Sequence, residues 1–446
     1  MANIAIIGAG GVIFTQNFIK DILRNPKLRD SRIALMDIDQ KRLDAAVVFT
    51  QKIGQQLDVK PNFIATTDLN KALQDAHYVI TIFRSGTLAH QRIEQEIPRK
   101  YGVDQVVADS MGQGGMFRGL RTLKHLFEVI DAMEQICPGA YLLNYVNPMS
   151  LNTIAASHRA KTVKVYGLCH SVQHTVAQLA KYIDVDPNQV NHFVAGVNHQ
   201  AFFLKFEVNR QDAYPQLHKA MGQPNIYKQD RVRFELMRHF GYFSTESSGH
   251  GSEYIPYFRK RADLIEKYCS LPEGFDLTYS MEHGTSGASL HVCDQMQIDN
   301  EKKIADIVAG KQEIDLSPSD EYGVQLIDAI ENNRMMCANL NVMNRGLIPT
   351  LPPDCCVEVP CMVDANGITS CQVTDYPEQL AGLNRNMINF QMMGAQAALE
   401  GSRRKVFQAI ALDPLTAAVC SLDEIQSMTD EMFEALASEI NHEFSN

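Results

Sequence analysis

The sequence predicts an α/β protein with two domains. Short apolar, β-branched segments alternate with amphipathic helical patterns up to about residue 190, and this alternation is typical of a parallel sheet covered by helices. Beyond that point, strand-like and helical segments mix without regular alternation. A chain of 446 residues is long enough for about two domains with sizeable cores. We therefore expect a parallel α/β domain at residues 1–190 and an α+β domain at residues 191–446.

The chain opens with a strand, a glycine turn and a helix. Residues 3–7 are apolar and β-branched, which predicts a buried parallel strand. The turn at residues 8–11 contains Gly8, Gly10 and Gly11, and an amphipathic pattern follows over residues 12–23. Gly8 allows a tight turn, and Gly10 lets the backbone approach a pyrophosphate at the helix N-terminus. This order of elements predicts a Rossmann-like dinucleotide-binding domain, although Ile13 stands where a third fingerprint glycine would be.

An acidic residue follows the second predicted strand. Residues 32–36 form that strand, which ends at Asp37. An acid in this position binds the hydroxyl groups of the adenine ribose and favours NAD over NADP. The spacing from Gly10 exceeds the usual ~20 residues, and the polar loop at residues 25–30 can absorb the excess. We therefore predict that Gly8, Gly10, Gly11 and Asp37 bind NAD; the alternative is a glycine turn without a ligand.

Polar residues stand between the remaining elements of the first domain. The patterns predict helices at residues 39–57, 88–101 and 117–136, and strands at residues 62–65, 77–83 and 141–146. The glycine-rich residues 110–116 predict a flexible loop near the ligand crevice. Asp109, just before this loop, is either a substrate ligand or a solvated loop acid. Asn147 precedes Pro148, and it either caps the next helix or holds a hydroxyl group of a ligand.

A cysteine and two histidines stand at the ends of predicted strands. Cys169 and His170 lie between a strand at residues 164–166 and a helix at residues 171–182. In an open α/β sheet this strand-to-helix corner faces the ligand crevice. His199 follows an apolar run at residues 193–197, and a thiolate with an imidazole can hold one metal ion. Taken alone, such a pair is more often two unrelated side chains.

The second domain contains one segment with candidate catalytic residues. Residues 249–258 combine small residues, which allow close approach, with Glu253, Tyr254 and Tyr257. The other patterns of this half predict strands at residues 193–197, 202–208 and 356–363, and helices at residues 377–399 and 422–439. We expect this half to bind the substrate and to carry a subunit interface.

Composition argues against several classes of partner. The net charge is −11 and no run of lysine or arginine stands out, which argues against nucleic acid and anionic membranes. No apolar stretch reaches the roughly 18 residues of a membrane span, and the N-terminus lacks the basic head of a signal peptide, so we expect a cytoplasmic protein. Tryptophan is absent. The one cysteine cluster (Cys355, Cys356 and Cys361) predicts buried strand thiols, because no second C-x-x-C partner exists.

Taken together, these segments resemble glycoside hydrolase family 4, and within it the α-galactosidases. The resemblance runs along nearly the whole chain, and the glycine turn alone is shared with lactate and malate dehydrogenases. The family depends on NAD and is an exception to two-carboxylate glycoside hydrolysis. Besides the glycine turn, the residues that carry the resemblance are Asn147, Pro148, Cys169, His170, Asn198, His199, Ser252, Glu253 and Tyr254.

The resemblance implies hydrolysis by oxidation and elimination. NAD⁺ takes hydride from C3 of the sugar, the C2 proton becomes acidic beside the new ketone, the C1 oxygen is eliminated, water adds, and NADH returns the hydride. A divalent metal stabilises the enolate. The resemblance assigns Cys169 and His199 to the metal, Tyr254 to removal of the C2 proton and His170 to protonation of the leaving oxygen. Tyr257 is the second choice for the base.

The resemblance also bears on metal and substrate. A cysteine and histidine pair would usually suggest zinc, but the family typically uses manganese, so we expect Mn²⁺, with other divalent metals possible. Many members that act on phosphorylated sugars carry Asp directly after the ligand cysteine, whereas His170 matches members that take free sugars. We therefore expect α-galactosides such as melibiose as substrates. Family members usually assemble as homodimers or homotetramers.

Three other functions remain open from the sequence. A 6-phospho-α-glucosidase of the same family would need a cationic phosphate pocket. An NAD-dependent hydroxy-acid dehydrogenase would produce net NADH from its substrate. An NAD-sensing protein without activity would leave Cys169, His170 and His199 without a role.

Overall fold

The structure, a computed structural model, describes residues 1–440 and Phe444. The strands, in chain order, are β1 (Asn3–Ile7), β2 (Arg32–Met36), β3 (Phe63–Thr66), β4 (Tyr78–Thr81), β5 (Tyr141–Asn144), β6 (Lys164–Gly167), β7 (Val190–Val197), β8 (Gln200–Val208), β9 (Gln211–Asp212), β10 (Met336–Met343), β11 (Cys356–Asp364) and β12 (Gly367–Ser370). The first α-helices are α1 (Val12–Arg24), α2 (Gln40–Leu57), α3 (Leu69–Leu73), α4 (Leu88–Lys100), α5 (Gly112–Ile136), α6 (Met149–Arg159), α7 (Ser171–Tyr182), α8 (Tyr214–Met221), α9 (Pro224–Tyr227) and α10 (Arg231–Phe240). The later ones are α11 (Ser248–Tyr254), α12 (Ala262–Cys269), α13 (Ser280–His283), α14 (Ala288–Val308), α15 (Tyr322–Asn332), α16 (Glu378–Glu400), α17 (Arg403–Ala411), α18 (Pro414–Val419) and α19 (Leu422–Ala435).

The N-terminal part is the predicted parallel sheet. Its strands run in the order β3-β2-β1-β4-β5-β6, and every neighbouring pair is parallel. This is the strand order of Rossmann-like dinucleotide-binding domains. Strands β1, β2 and β4 are almost entirely buried, because helices cover both faces of a parallel sheet and leave no polar face. The predicted α/β fold is therefore confirmed.

The C-terminal half continues the same sheet with antiparallel strands. Beyond β6 the order is β10-β11-β7-β8-β9, and β12 pairs with β11. The junction is made by Asn341 of β10 opposite Gly167 of β6, and Glu358 of β11 lies opposite Gly196 of β7. Strand β10 was not predicted from the sequence, although it joins the two parts of the sheet. The division of the chain at residue 190 stays a prediction.

The glycine-rich segment at residues 110–116 differs from its prediction. It is not a flexible loop, because α5 begins at Gly112 and the following residues are buried within its first turns. A Cβ on Gly114 would lie 2.6 Å from the Cβ of Ala108, and one on Gly115 would lie 2.4 Å from the carbonyl carbon of Ser110. These two glycines therefore allow close packing against the preceding segment rather than mobility.

Two of the hydrophobic clusters formed by the described residues support the sheet. The main core contains residues from both halves of the chain, such as Ile6 in β1 and Phe390 in α16. A smaller core joins α7, β8 and α10 through residues such as Phe203 and Phe234. The cysteines at positions 355, 356 and 361 are fully buried. Cys356 and Cys361 lie in β11, which confirms their prediction as strand thiols, whereas Cys355 immediately precedes the strand. Within residues 1–440, the longest helices are too polar to cross a lipid bilayer.

Candidate active site

The predicted site residues meet beside the carboxyl ends of the parallel strands, where open α/β sheets bind ligands. Cys169 and His170 occupy the corner between β6 and α7, and His199 lies in the turn between β7 and β8. Tyr254 ends the short helix α11, and Asp109 precedes α5. We call Cys169, His199, Tyr254 and Asp109 the Cys169 cluster. Its members come from four separate segments of the chain.

The first feature of this cluster is a potential metal site. The Cys169 sulfur, an imidazole nitrogen of His199 and a carboxylate oxygen of Glu246 lie within 4.8 Å of one another. Burial lowers the pKa of His199, but its electrostatic interaction and hydrogen bond with Cys169 outweigh this and raise the pKa to about 10. One thiolate, one imidazole and one carboxylate are donors that suit a divalent transition metal. The donor set therefore fits the predicted ion, with Glu246 as a further donor that sequence analysis missed.

A second group of donors shares His199. Carboxylate and imidazole atoms of Asp109, His199 and His250 also lie within 4.8 Å of one another, and all three residues are buried. The rings of His199 and His250 meet edge to face with centroids 5.0 Å apart. His250 also lies 3.5 Å from Glu246 and 3.9 Å from Asp109. His199 is therefore common to two groups of potential ligands.

Tyr254 is enclosed at the centre of the cluster. Its side chain is fully buried, and its hydroxyl oxygen lies 3.0 Å from Nδ1 of His199. Burial raises the pKa of Tyr254 well above its ordinary value, and the charges of Asp109 and Glu253 raise it further. The second choice, Tyr257, is 47% exposed, with its ring against Phe240 at 6.2 Å. The geometry thus favours Tyr254 over Tyr257 for proton transfer within the cluster.

Asp109 is a buried member of the site and not a solvated loop acid. It is 5% exposed, and it accepts hydrogen bonds from the Ser110 hydroxyl and the Asn147 amide, both at 2.8 Å. Burial raises its pKa, but Arg118 and the histidines at positions 250 and 199 outweigh this and hold the pKa of Asp109 well below its ordinary value. The carboxylate is therefore negatively charged at neutral pH.

Asn147 does not cap the helix that follows it. Pro148 is the N-cap residue of α6 and no side-chain hydrogen bond caps that end. The Asn147 amide donates to Asp109 instead, so the interpretation of Asn147 as a helix cap is wrong. Its role as a substrate ligand stays a prediction.

Glu253 holds the segment that carries Asp109. Its carboxylate accepts hydrogen bonds from the backbone N–H groups of Val106 at 2.7 Å and of Val107 and Ala108 at 3.2 Å. Burial raises the pKa of Glu253 to about 7, although these backbone bonds favour the charged form. Because Glu253 and Tyr254 are adjacent, the same short helix places the phenol and fixes the loop before Asp109.

His170 has an acidic partner that is remote in sequence. Its Nε2 atom lies 2.8 Å from Oε2 of Glu321, which is buried at the N-terminus of α15. Burial lowers the pKa of His170, but the hydrogen bond and the charge of Glu321 outweigh this and raise it. The next residue, Tyr322, accepts a hydrogen bond from the backbone N–H of Cys169 at 2.9 Å. Glu321 and Tyr322 together fix the corner between β6 and α7, and no local sequence pattern marked them.

The glycine turn at residues 8–11 has the predicted conformation. Gly8 has φ +93°, and a Cβ there would lie 2.5 Å from the backbone nitrogen of Phe83. The N–H of Gly10 donates to the Asp37 carboxylate at 2.8 Å, and a Cβ on Gly10 would lie 2.6 Å from that oxygen. Gly11 is the N-cap of α1. The turn, helix N-terminus and acid fit a dinucleotide, and exposed Ile38 beside Asp37 offers an apolar surface.

Fold and site together define a protein with a dinucleotide-binding sheet and a candidate metal centre at its edge. The chain belongs to family 4 of the glycosyl hydrolases: the model described as "Family 4 glycosyl hydrolase" matches residues 3–185, and that of its C-terminal domain matches residues 194–416. It is therefore a glycoside hydrolase by family, as the sequence resemblance predicted.

Individual relatives agree with this assignment. The chain is 38% identical over 437 residues to an α-galactosidase of Bacillus subtilis, covering 98% of each chain. It is 34% identical over 439 residues to an α-galactosidase of Rhizobium meliloti, covering 97% of this chain and 88% of that one. The fold resembles a solved 6-phospho-α-glucosidase from gut microorganisms in complex with NAD and Mn²⁺, with a TM-score of 0.79 and 20% identity over 98% of this chain and 99% of that one.

Proposed function

We propose that this chain is an α-galactosidase that uses NAD and a divalent cation, with Mn²⁺ as the expected ion. The observation that carries the proposal is the enclosed contact of Tyr254 with His199, beside the Cys169 thiol. Two relatives more than 30% identical along nearly the whole chain are α-galactosidases. When bound, NAD would supply reversible hydride transfer at C3 of the sugar, and the cation would supply Lewis-acid polarisation of the sugar oxygens.

Cys169 and His199 would hold the cation in this proposal. Their donor atoms are already close together, and Glu246 lies within reach of both. Asp109 and His250 form a second group of donors with His199, and the negative charge of Asp109 favours a bound cation. These residues would therefore fix the cation beside the phenol oxygen of Tyr254.

Tyr254 removes the proton from C2 at its phenol oxygen. In the structure this phenol is neutral, because burial and the carboxylates of Asp109 and Glu253 raise its pKa. A cation held by Cys169 and His199 would oppose these effects and favour the phenolate. Removal of the C2 proton by Tyr254 thus depends on the ligands at Cys169 and His199.

His170 donates a proton from its ring to the oxygen that leaves C1. Glu321 raises the pKa of His170 and fixes the ring through the 2.8 Å contact at Nε2. A protonated imidazole near neutral pH is a suitable general acid. Asn147, held by Asp109, contacts a hydroxyl group of the sugar.

The reaction can be tested in D₂O with NAD⁺, Mn²⁺ and an aryl α-galactoside, with NMR analysis of the sugar product. The proposal expects galactose that carries deuterium at C2 and no net NADH. Galactose without deuterium at C2 would contradict the role of Tyr254. Net NADH without galactose would indicate a dehydrogenase instead, and cleavage restricted to phosphorylated glucosides would indicate the 6-phospho-α-glucosidase.

The same proposal places the enzyme in the cytoplasm as a homodimer or homotetramer. The exposed apolar side chains of Met296 and Ile298 on α14 are compatible with a subunit contact. Light scattering coupled to size-exclusion chromatography measures the mass directly, and a monomer of 49.9 kDa at micromolar concentration would contradict this part of the proposal.

A further inference from the structure

We propose that a cavity beside His170 binds the alcohol half of the galactoside, the part that leaves when the glycosidic bond breaks. The inference rests on the proposed function, since it takes His170 as the acid that protonates the leaving oxygen. The cavity has a volume of about 420 Å³, towards the lower end of the roughly 300–1,000 Å³ of small-molecule sites. This size suits one sugar ring or one aromatic ring. Its walls are formed by α1, by the start of α7 and by residues 318–321.

The cavity lies away from the site expected for the adenine half of NAD. Phe14, Asn17 and Lys20 line it, and their spacing of three places them along one face of α1, leading away from the glycine turn. His170 follows β6, whereas Asp37 follows β2, four strand positions away in the sheet. At ~4.8 Å between strands, that separation is on the order of 19 Å. The adenine half of a dinucleotide held at Asp37 therefore does not occupy this cavity.

The cavity wall carries polar groups that lack partners. Lys20 is only 7% exposed, and within residues 1–440 its ammonium group forms no hydrogen bond or salt bridge. The Asn17 amide likewise makes no hydrogen bond to any described residue. Both line the cavity. Asn17 is half-buried, and both groups are open to the cavity, so they are available to hydrogen-bond with the hydroxyl groups of a ligand.

The charges around the cavity favour a neutral, hydroxyl-rich ligand. Lys20 faces a wall that contains the carboxylates of Asp320 and Glu321, so the cavity does not select an anion. The ring of Phe14 meets that of His170 edge to face at 6.3 Å and adds an apolar face. Alternating hydroxyl and C–H surfaces of a sugar match this mixture of polar groups and an aromatic ring. The cavity therefore fits the glucose half of melibiose.

Substitution of Asn17 tests this assignment. Asn17→Leu removes the amide at similar volume, and we expect kcat/KM for melibiose to fall about tenfold, the effect of losing one or two neutral hydrogen bonds. Asn17→Trp fills the cavity and should lower kcat/KM for melibiose further. Both variants should cleave α-galactosyl fluoride at the wild-type rate, because its leaving group, a fluoride ion, is too small to need the cavity. Gln55→Leu is the matched control, since Gln55 is an exposed amide that lines another cavity, of about 470 Å³, on α2.

Glucose provides a test with the unaltered enzyme. It should inhibit cleavage of α-galactosyl fluoride by occupying the cavity, and Asn17→Leu should raise its inhibition constant about tenfold. If Asn17→Leu lowers kcat/KM equally for melibiose and α-galactosyl fluoride, Asn17 supports the catalytic centre. If kcat/KM for melibiose is unchanged, the alcohol half binds elsewhere. Either result overturns the inference while the proposed function stands. Wild-type enzyme that cleaves neither substrate contradicts the proposed function itself.

Discussion

The glycine turn and the Cys169 cluster lie at the same edge of the sheet, but they differ in how far apart their residues are in the sequence. Gly8, Gly10 and Asp37 are near one another in sequence, and the turn is closed by a bond from a backbone N–H group to the Asp37 carboxylate. The Cys169 cluster brings together side chains from positions 109 to 254, and Glu321 adds a contact from α15. The turn therefore depends on local backbone geometry, whereas the cluster depends on correct packing of the whole sheet.

The largest expected effect comes from removing the phenol at the centre of the cluster. Tyr254→Phe takes away the proposed base and should lower kcat/KM by about 10³-fold, within the range of general-base catalysis. C2 deuterium exchange measured by NMR should fall in parallel. Tyr257→Phe is the matched control and should retain activity, because that ring is half exposed. A Tyr254→Phe enzyme that still exchanges the C2 proton would show that the base lies outside the cluster.

Removal of the Cys169 thiol should weaken cation binding more than it lowers the stability of the fold. Cys169→Ser should weaken Mn²⁺ binding by at least about 10–100-fold, the range seen when groups around a metal are altered, as measured by titration calorimetry. Cys371→Ser changes a partly exposed thiol outside the cluster and should leave the affinity unchanged. Equal Mn²⁺ affinity in all three proteins would contradict Cys169 as a ligand.

The corresponding change in the glycine turn should be smaller and specific for the nucleotide. Gly10→Ala places a Cβ 2.6 Å from the Asp37 carboxylate, so the acid must shift, and we expect the Kd for NAD to rise about tenfold, or about 1.4 kcal/mol. Gly382→Ala, where a Cβ meets no atom within 4 Å, is the matched control. Fluorescence titration of NADH distinguishes the two variants. Unaltered affinity in Gly10→Ala would mean that Asp37 does not contact the nucleotide.

The last prediction concerns the pH dependence of stability at Glu253, which holds the segment before Asp109. The pKa of Glu253 is raised to about 7 by burial, so the folded state binds a proton that the unfolded state releases near pH 4.5. This contribution is present below pH 4.5 and is lost as pH rises to 7, by at most about 3 kcal/mol. Glu253→Gln removes the titration. Glu358 and Asp413, whose pKa values burial raises to about 7 and about 6, titrate in both proteins. Urea unfolding across this range should therefore show a steeper loss of stability in the wild type than in Glu253→Gln, and parallel curves would contradict the prediction.

Sequence analysis predicted the local structure around the glycine turn, but it did not predict the long-range contacts around the Cys169 cluster. Residues 3–37 form a strand, a turn, a helix and a second strand as their pattern predicted, because periodicity and glycine geometry are local. Glycines at 114 and 115 were misread as a flexible loop, since only the packed structure shows that Ala108 and Ser110 approach them closely. A solvated loop acid stayed open for Asp109 for the same reason, since its burial and its hydrogen bond from Asn147 appear only in the packed structure.

The sequence by itself determined the parallel sheet, the glycine turn with Asp37 and the cysteine, histidine and tyrosine residues that carry the family resemblance. These features are encoded by local hydrophobic pattern and by the identity of a few side chains. Only the tertiary structure decided that Tyr254 contacts His199, that Glu321 holds His170 and that Asp109 is charged within the protein. Each of these properties depends on the burial and distance of groups that are far apart in sequence, and local patterns carry no information about either quantity.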